Sequence, residues 1–197
     1  MGNQVLKLKK EDAVLVGIDF QERLMPAMKN GDEVEAAAVK LVKGCRILGV
    51  PVIMTQQYTK GLGPTVSDLA EALTEPVGEE EAAAAAEFQP IEKTSFSAMG
   101  EPAFVEALKK LGRKTVIIAG VEAHVCVQQT VIDLLENGYT VFIANDCISS
   151  RSNNDKKYSQ RRMGDAGAVG TTSESILFEL LRGAKEPGFK QISALVK

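Results

Sequence analysis

Uncharged, β-branched segments alternate along this chain with segments whose apolar residues recur every third or fourth position. Ala13-Val-Leu-Val-Gly-Ile-Asp-Phe20 holds nothing polar before Asp19, and Lys114-Thr-Val-Ile-Ile-Ala119 and Thr140-Val-Phe-Ile-Ala144 are apolar and β-branched in the same way. Such runs read as strands buried on both faces. Pro51-Val-Ile-Met-Thr55, a piece of Phe88–Phe96 and the short run Ala166–Thr171 bring the series to about six strands. Between them lie helical patterns. Val34, Ala38, Leu41, Val42, Cys45 and Leu48 form a stripe that stops at Gly49. Further helices are expected over Ser67–Leu73 and Pro102–Leu111, and from Val127 to a glycine stop at Asn137-Gly138. Ser152-Asn-Asn-Asp155 caps a helix through Met163, and the capping-box pattern Thr171-Thr-Ser-Glu174 opens one through Leu181. Gly61-Leu-Gly-Pro64 reads as a turn, and Glu79–Glu87 is a low-complexity run whose composition favours helix and carries no chemistry.

Strands that are apolar on both faces need helices on both, which argues for a parallel sheet between two helical layers. A closed eight-stranded barrel would require more strands than these. The expected fold is α/β, three layers (α/β/α) around an open, mostly parallel sheet of about six strands. With 197 residues, one core is the natural outcome: a single domain over 1–197, its core about 12–183, with a C-terminal extension over 184–197.

Composition narrows the function. A net charge of -3 does not suggest a nucleic-acid or anionic-membrane surface. No apolar run reaches membrane-spanning length. Cys45, Cys126 and Cys147 are odd in number and form no CxxC, which points to reduced thiols in the cytoplasm. Lys7-Leu-Lys-Lys10 reads as a solvated lead-in.

In open parallel sheets, ligands bind beyond the carboxyl ends of the strands. Three reactive residues fall there. Asp19 follows the first apolar strand, where a carboxylate must be paired or functional. Lys93 follows Phe88–Glu92, and Cys126 stands where Thr115–Val121 hands over to a helix. A helix N-terminus offers free N–H donors and a positive dipole end, both of which favour thiolate. Each residue also has a structural reading: a buried ion pair or cap for Asp19, a solvated surface lysine, a small buried cysteine packed under a helix. Cys45, on an apolar stripe, is expected to be inert, and Asp146 should disfavour a thiolate at Cys147.

Val16-Gly-Ile-Asp-Phe-Gln21, Glu92-Lys-Thr-Ser-Phe-Ser97 and Gly120-Val-Glu-Ala-His-Val-Cys-Val127 resemble the three signatures of the isochorismatase-like cysteine hydrolases. Thr55-Gln-Gln-Tyr58, Gly61-Leu-Gly-Pro-Thr65, Asp146-Cys-Ile-Ser-Ser-Arg-Ser152, Thr171-Thr-Ser-Glu-Ser175 and Phe189-Lys-Gln-Ile192 extend the likeness, which is greatest to the isochorismatase domain-containing proteins. The resemblance implies a catalytic triad of Asp19, Lys93 and Cys126, an oxyanion hole made by the backbone N–H groups of Glu122 and Cys126, and a cis peptide between Val121 and Glu122. It implies hydrolysis of a small amide-like substrate through a thioester, with no cofactor, in a homo-oligomer (dimer, tetramer or larger).

Two departures refine this. Nicotinamidases of the superfamily bind metal through an aspartate and several histidines; this chain has one histidine, His124, so no such metal site is expected. His124 is instead read as ordering the cysteine turn. Isochorismatases that cleave a vinyl ether typically lack the cysteine, which Cys126 argues against here. Phe20, Gln21, Gln57, Tyr58 and Phe96 neighbour the signature residues and are candidates for a substrate pocket, with core packing or loop support as the alternative. A triad retained in a catalytically silent binding protein, a thiol-redox protein and a vinyl-ether hydrolase are the alternative functions.

Overall fold

The structure, a computed structural model, describes residues 6–76 and 88–197. The Glu79–Glu87 run lies outside the described residues. Strands β1 (Ala13–Ile18), β2 (Val52–Gln57), β3 (Ile91–Lys93), β4 (Thr115–Val121), β5 (Thr140–Ser149) and β6 (Val169–Thr171) form one sheet in the order β3-β2-β1-β4-β5-β6. Every neighbouring pair is parallel. The chain winds outward from β1 to β3, then returns to β4 and winds the other way. The topological switch point therefore lies between β1 and β4.

Alternation along each strand divides the core into two. Leu15, Ile117, Ala119 and Phe142 face a cluster formed with α1 (Gly31–Ile47), α3 (Ser67–Thr74), α7 (Ser173–Leu181) and α8 (Phe189–Leu195). Val14, Val16, Ile18, Val116, Ile118 and Ile143 face the other cluster, formed with α4 (Pro102–Leu111), α5 (Gln128–Glu136) and α6 (Asn153–Asp165). That is why these strands tolerate so little polarity: both of their faces leave water. Among the described residues, no helix is long and apolar enough to cross a membrane.

Several local expectations need correction. Leu8, in the basic lead-in, is fully buried; its N–H donates to Glu179 Oε1 at 2.9 Å and its carbonyl accepts from Arg182. In the C-terminal extension, for which the sequence neither predicts nor excludes packing, Ile192 of α8 is fully buried. The Gly61–Pro64 turn begins inside a single helical turn, α2 (Thr59–Leu62). Helix α7 is capped by Thr172, one residue later than the pattern suggested, because Asp146 accepts from Ser173 N–H and Oγ (2.8 and 2.5 Å) and pins the first turn. Strand β5 runs five residues past Ala144, with a register shift that sets Ile118 opposite Ile143 but Gly120 opposite Ile148. Its bulge holds Asp146 and Cys147, polar and thiol groups that interrupt the apolar pattern by which strands are read.

Candidate active site

β1 ends at Ile18, and Asp19 turns the chain with φ 54°, a left-handed conformation that Asp tolerates better than a β-branched residue would. Its N–H donates to the Thr55 carbonyl of β2 (3.2 Å) while its own carbonyl accepts from Gln21 N–H (2.8 Å). The carboxylate is fully buried. One oxygen, Oδ1, accepts from the Thr55 hydroxyl at 2.7 Å; the other, Oδ2, accepts from Lys93 Nζ at 2.7 Å.

Lys93 closes β3, two strands from β1, so its side chain must reach across the end of β2. Two strand spacings are roughly 9–10 Å, which a lysine and an aspartate span together. Only 1% of Lys93 is exposed, so the surface-lysine reading fails. Besides Asp19, the ammonium donates to Gln57 Oε1 (2.7 Å) and to the carbonyls of Ser95 (3.2 Å) and Phe96 (3.1 Å). Gln57 is itself oriented by donating its amide to the Thr94 carbonyl (2.8 Å). The lysine is thus a fixed cation with every proton engaged.

β4 delivers the cysteine. Gly120 has φ 139°, and a Cβ there would lie 2.3 Å from the Ile18 carbonyl oxygen, so only glycine lets β4 run this close to β1. The Val121–Glu122 peptide is cis. Residues Ala123–Val127 then form a π-helical turn before α5. The Glu122 carbonyl accepts from Val125 and Val127 N–H (3.0 and 3.2 Å). Its carboxylate pairs with Arg151 (2.9 Å), and His124 Nδ1 lies 2.9 Å from Ser150 Oγ, so the end of β5 clamps the turn at two points. Thr130, one turn on, donates to the Cys126 carbonyl (2.7 Å) and accepts from Ala98 N–H (2.9 Å). That bond ties the cysteine turn to the loop that holds Lys93.

The charges of Asp19 and Lys93 both act on the Cys126 thiol. The three residues therefore meet at the carboxyl ends of β1, β3 and β4, beside the switch point. Cys126 is 7% exposed, against none for Cys45 and Cys147. Two influences at Cys126 oppose the thiolate that a helix N-terminus favours. Burial first, and then the negative charge of Asp19, push the Cys126 thiol up to about 12; Lys93 offsets only part of this. Cys45 is likewise pushed to about 12 by burial, and Cys147 rises through burial and Asp146. What distinguishes Cys126 is its access and its two charged neighbours, not its acidity.

The pocket candidates divide. Tyr58 (52% exposed) and Phe96 (55%) stand beside Lys93: Tyr58 N–H donates to the Lys93 carbonyl (3.0 Å), and the Phe96 carbonyl holds the ammonium. Phe20 instead belongs to the core cluster on the far side of the sheet. Gln21 is fully buried, its amide donating to the Gln57 and Gly63 carbonyls (3.0 and 2.7 Å) and accepting from Gln57 N–H (2.7 Å). It braces the loop after β2, with both amide protons engaged by backbone carbonyls. Gln57 serves as the lysine's brace. Thr55 and Thr130 contact the site without having been singled out individually; Thr55 sits opposite Ile18 in register, at the same strand ends that pointed to Asp19. Grooves of about 420 and 450 Å³, lined by Val52, Leu73 and Phe88 and by Ala184, Phe189 and Lys190, include none of the three. Chemistry, not volume, marks this site.

Residues 13–175 match the family model of the isochorismatase domain. Isochorismatase domain-containing protein 2 of Danio rerio is 38% identical over 96% of this chain and 89% of its own length. Among solved structures, the MAR1 ribonuclease of Caenorhabditis elegans is similar with a TM-score of 0.85 and 38% identity, covering 97% of this chain and 92% of that one. YcaC of Escherichia coli, described as an octameric hydrolase of unknown specificity, has a TM-score of 0.83 and 25% identity, covering 93% and 86%. From the start of β1 into the first turn of α7 the match is continuous, and the chain belongs to the isochorismatase family.

Proposed function

We propose that this protein is a metal-independent cysteine hydrolase that cleaves a C–N bond in a small amide-like metabolite. One observation carries the reading: a thiol with slight solvent access faces a fully buried carboxylate–ammonium pair. Losing the thiol proton to water would leave two anions against one cation, which is why that equilibrium is unfavourable. Passing the proton to Asp19 instead leaves the net charge of the cluster unchanged. Asp19 can therefore act as a base towards Cys126 although the free thiol is not acidic.

In this reading Cys126 Sγ attacks the substrate carbonyl carbon as Asp19 takes the thiol proton. The carbonyl oxygen becomes an oxyanion held by the N–H groups of Glu122 and Cys126. Collapse breaks the C–N bond, and the leaving nitrogen takes the proton from Asp19. A thioester remains. Water then attacks it, giving its proton to Asp19; the second oxyanion collapses, and the sulfur recovers the proton. Lys93 keeps its protons throughout and fixes Asp19. Tyr58 and Phe96 would flank the substrate. The metal-independent part rests on the single histidine, whose Nδ1 is engaged with Ser150.

The family name alone would suggest vinyl-ether cleavage, but that chemistry leaves Cys126 without a task. The Caenorhabditis elegans relative is named a ribonuclease, which points to a phosphodiester, whereas a net charge of -3 and a thiol nucleophile suit an acyl group better. The octameric YcaC supports a homo-oligomer for this chain. The test is a screen of small amides with RNA included, using Cys126→Ala as the blank and intact-protein mass spectrometry for an acyl adduct. Amide turnover with an adduct on Cys126 is expected. Turnover that survives Cys126→Ala would refute the reading.

A further inference from the structure

We propose that Thr55 is a positioning residue for Asp19: its hydroxyl, donated to Asp19 Oδ1, holds the carboxylate ionised and so keeps the proton on Cys126 until a substrate carbonyl arrives. This rests on the hydrolase reading above and adds to it a control over when the nucleophile forms.

Thr55 lies on β2 directly beside the exit of β1, paired in register with Ile18. Its backbone carbonyl accepts from Asp19 N–H, so main chain and side chain of one residue grip Asp19 together. The hydroxyl is fully buried, and among the described residues its hydrogen bond goes to Asp19 Oδ1 alone. Asp19 thus receives one short bond on each oxygen, from Thr55 and from Lys93, both 2.7 Å. Donors of this kind favour the charged carboxylate over the neutral acid. The charged and titratable groups facing Asp19 are Lys93, from β3, and Cys126, from the π-helical turn. Thr55 is the neutral donor beside them.

When the Sγ proton moves to Asp19, the Thr55 bond to a carboxylate becomes a weaker bond to an acid. Thr55 therefore opposes the transfer in the resting protein. Removing its hydroxyl should favour the Asp19-protonated, Cys126-thiolate form. That form and the resting form carry the same number of protons, so the effect has a distinctive pH signature. The alkylation rate should rise on its pH-independent plateau, and its acid limb should move up by the matching amount. At low pH, where Asp19 and Cys126 are both protonated, the hydroxyl no longer matters and the curves should merge.

The experiment is the rate of iodoacetamide labelling of Cys126 from acid to mildly alkaline pH, read by peptide mapping. For Thr55→Val the plateau is expected to rise roughly tenfold and the acid limb to move up by roughly one pH unit, the scale of one hydrogen bond to a charged group. Thr55→Ser should restore the wild-type curve. Thr55→Ala removes the same hydroxyl with less bulk, should shift the curve as Thr55→Val does, and serves if the valine variant fails to fold. A rate raised by one factor at every pH, or an unmoved curve, would overturn the proposal. Asp19→Asn separates the two readings. If it leaves the wild-type acid limb in place, the hydrolase mechanism fails; if it abolishes the limb while Thr55→Val and Thr55→Ala do not move it, the threonine's role alone fails.

Discussion

Replacing Lys93 by Met removes the cation from the Asp19 ion pair while leaving an unbranched chain in its slot. The structure sets the size of the effect. Both side chains lack any solvent exposure, and Nζ lies 2.7 Å from Oδ2. The ammonium also serves Gln57 Oε1 and the Ser95 and Phe96 carbonyls. Methionine would strand a buried carboxylate with Thr55 as its remaining side-chain donor, and would deprive three further acceptors of the same partner. Breaking a buried pair from one side costs about 3–5 kcal/mol. In a chain of this size each kcal/mol is worth about 2–4 °C, so Tm should fall by about 6–20 °C. The pair's net worth is smaller than that, because burying both charges cost desolvation. Lys93→Met/Asp19→Asn removes both charges and should recover most of the loss. Thermal melts of wild type, the two single variants and the double variant complete the cycle. A single lysine variant melting within about 2 °C of wild type, or a double variant no more stable than Lys93→Met, would refute the reasoning.

Three further outcomes follow from the same geometry. Burial pushes the Cys45 thiol from 9.0 up to about 12, so the folded state holds this proton more tightly than the unfolded one. The stabilisation is complete below pH 9 and lost as pH rises towards 12; Cys45→Ala should therefore flatten the alkaline fall in urea-measured stability by about 1.4 kcal/mol per pH unit in that window. Gly120→Ala sets a Cβ 2.3 Å from the Ile18 carbonyl at φ 139° and should destabilise by more than about 4 kcal/mol; soluble protein with an unchanged melt would contradict the close approach of β4 to β1. Gln21→Leu leaves the Gln57 N–H and the Gln57 and Gly63 carbonyls without their shared partner, and should cost about 2–4 kcal/mol with faster limited proteolysis between residues 57 and 63. An unchanged digestion pattern would argue against its bracing role.

The layers of this fold were legible in the sequence because burial on both faces leaves a strand no room for polarity, and Ala13–Ile18 and Thr115–Ala119 show it residue by residue. The same rule made Asp19 conspicuous, since a carboxylate beside such a run needs a partner. Lys93 gave no comparable signal of its own: next to Glu92 it looks like any solvated lysine, and only the reach across β2 shows where its ammonium goes. Phe20 and Gln21 directly follow Asp19 in sequence, yet the turn at Asp19 sends Phe20 to the opposite core and Gln21 into the loop it braces. Adjacency along the chain does not survive a change of direction at a strand end. The state of Cys126 was decided by tertiary structure as well. A strand-to-helix junction predicts an acidified thiol, but desolvation and the facing Asp19 carboxylate outweigh the attraction of Lys93. Local pattern follows from which surfaces must leave water; the proton's place depends on charges brought together from β1, β3 and β4, and only the folded chain sets those distances.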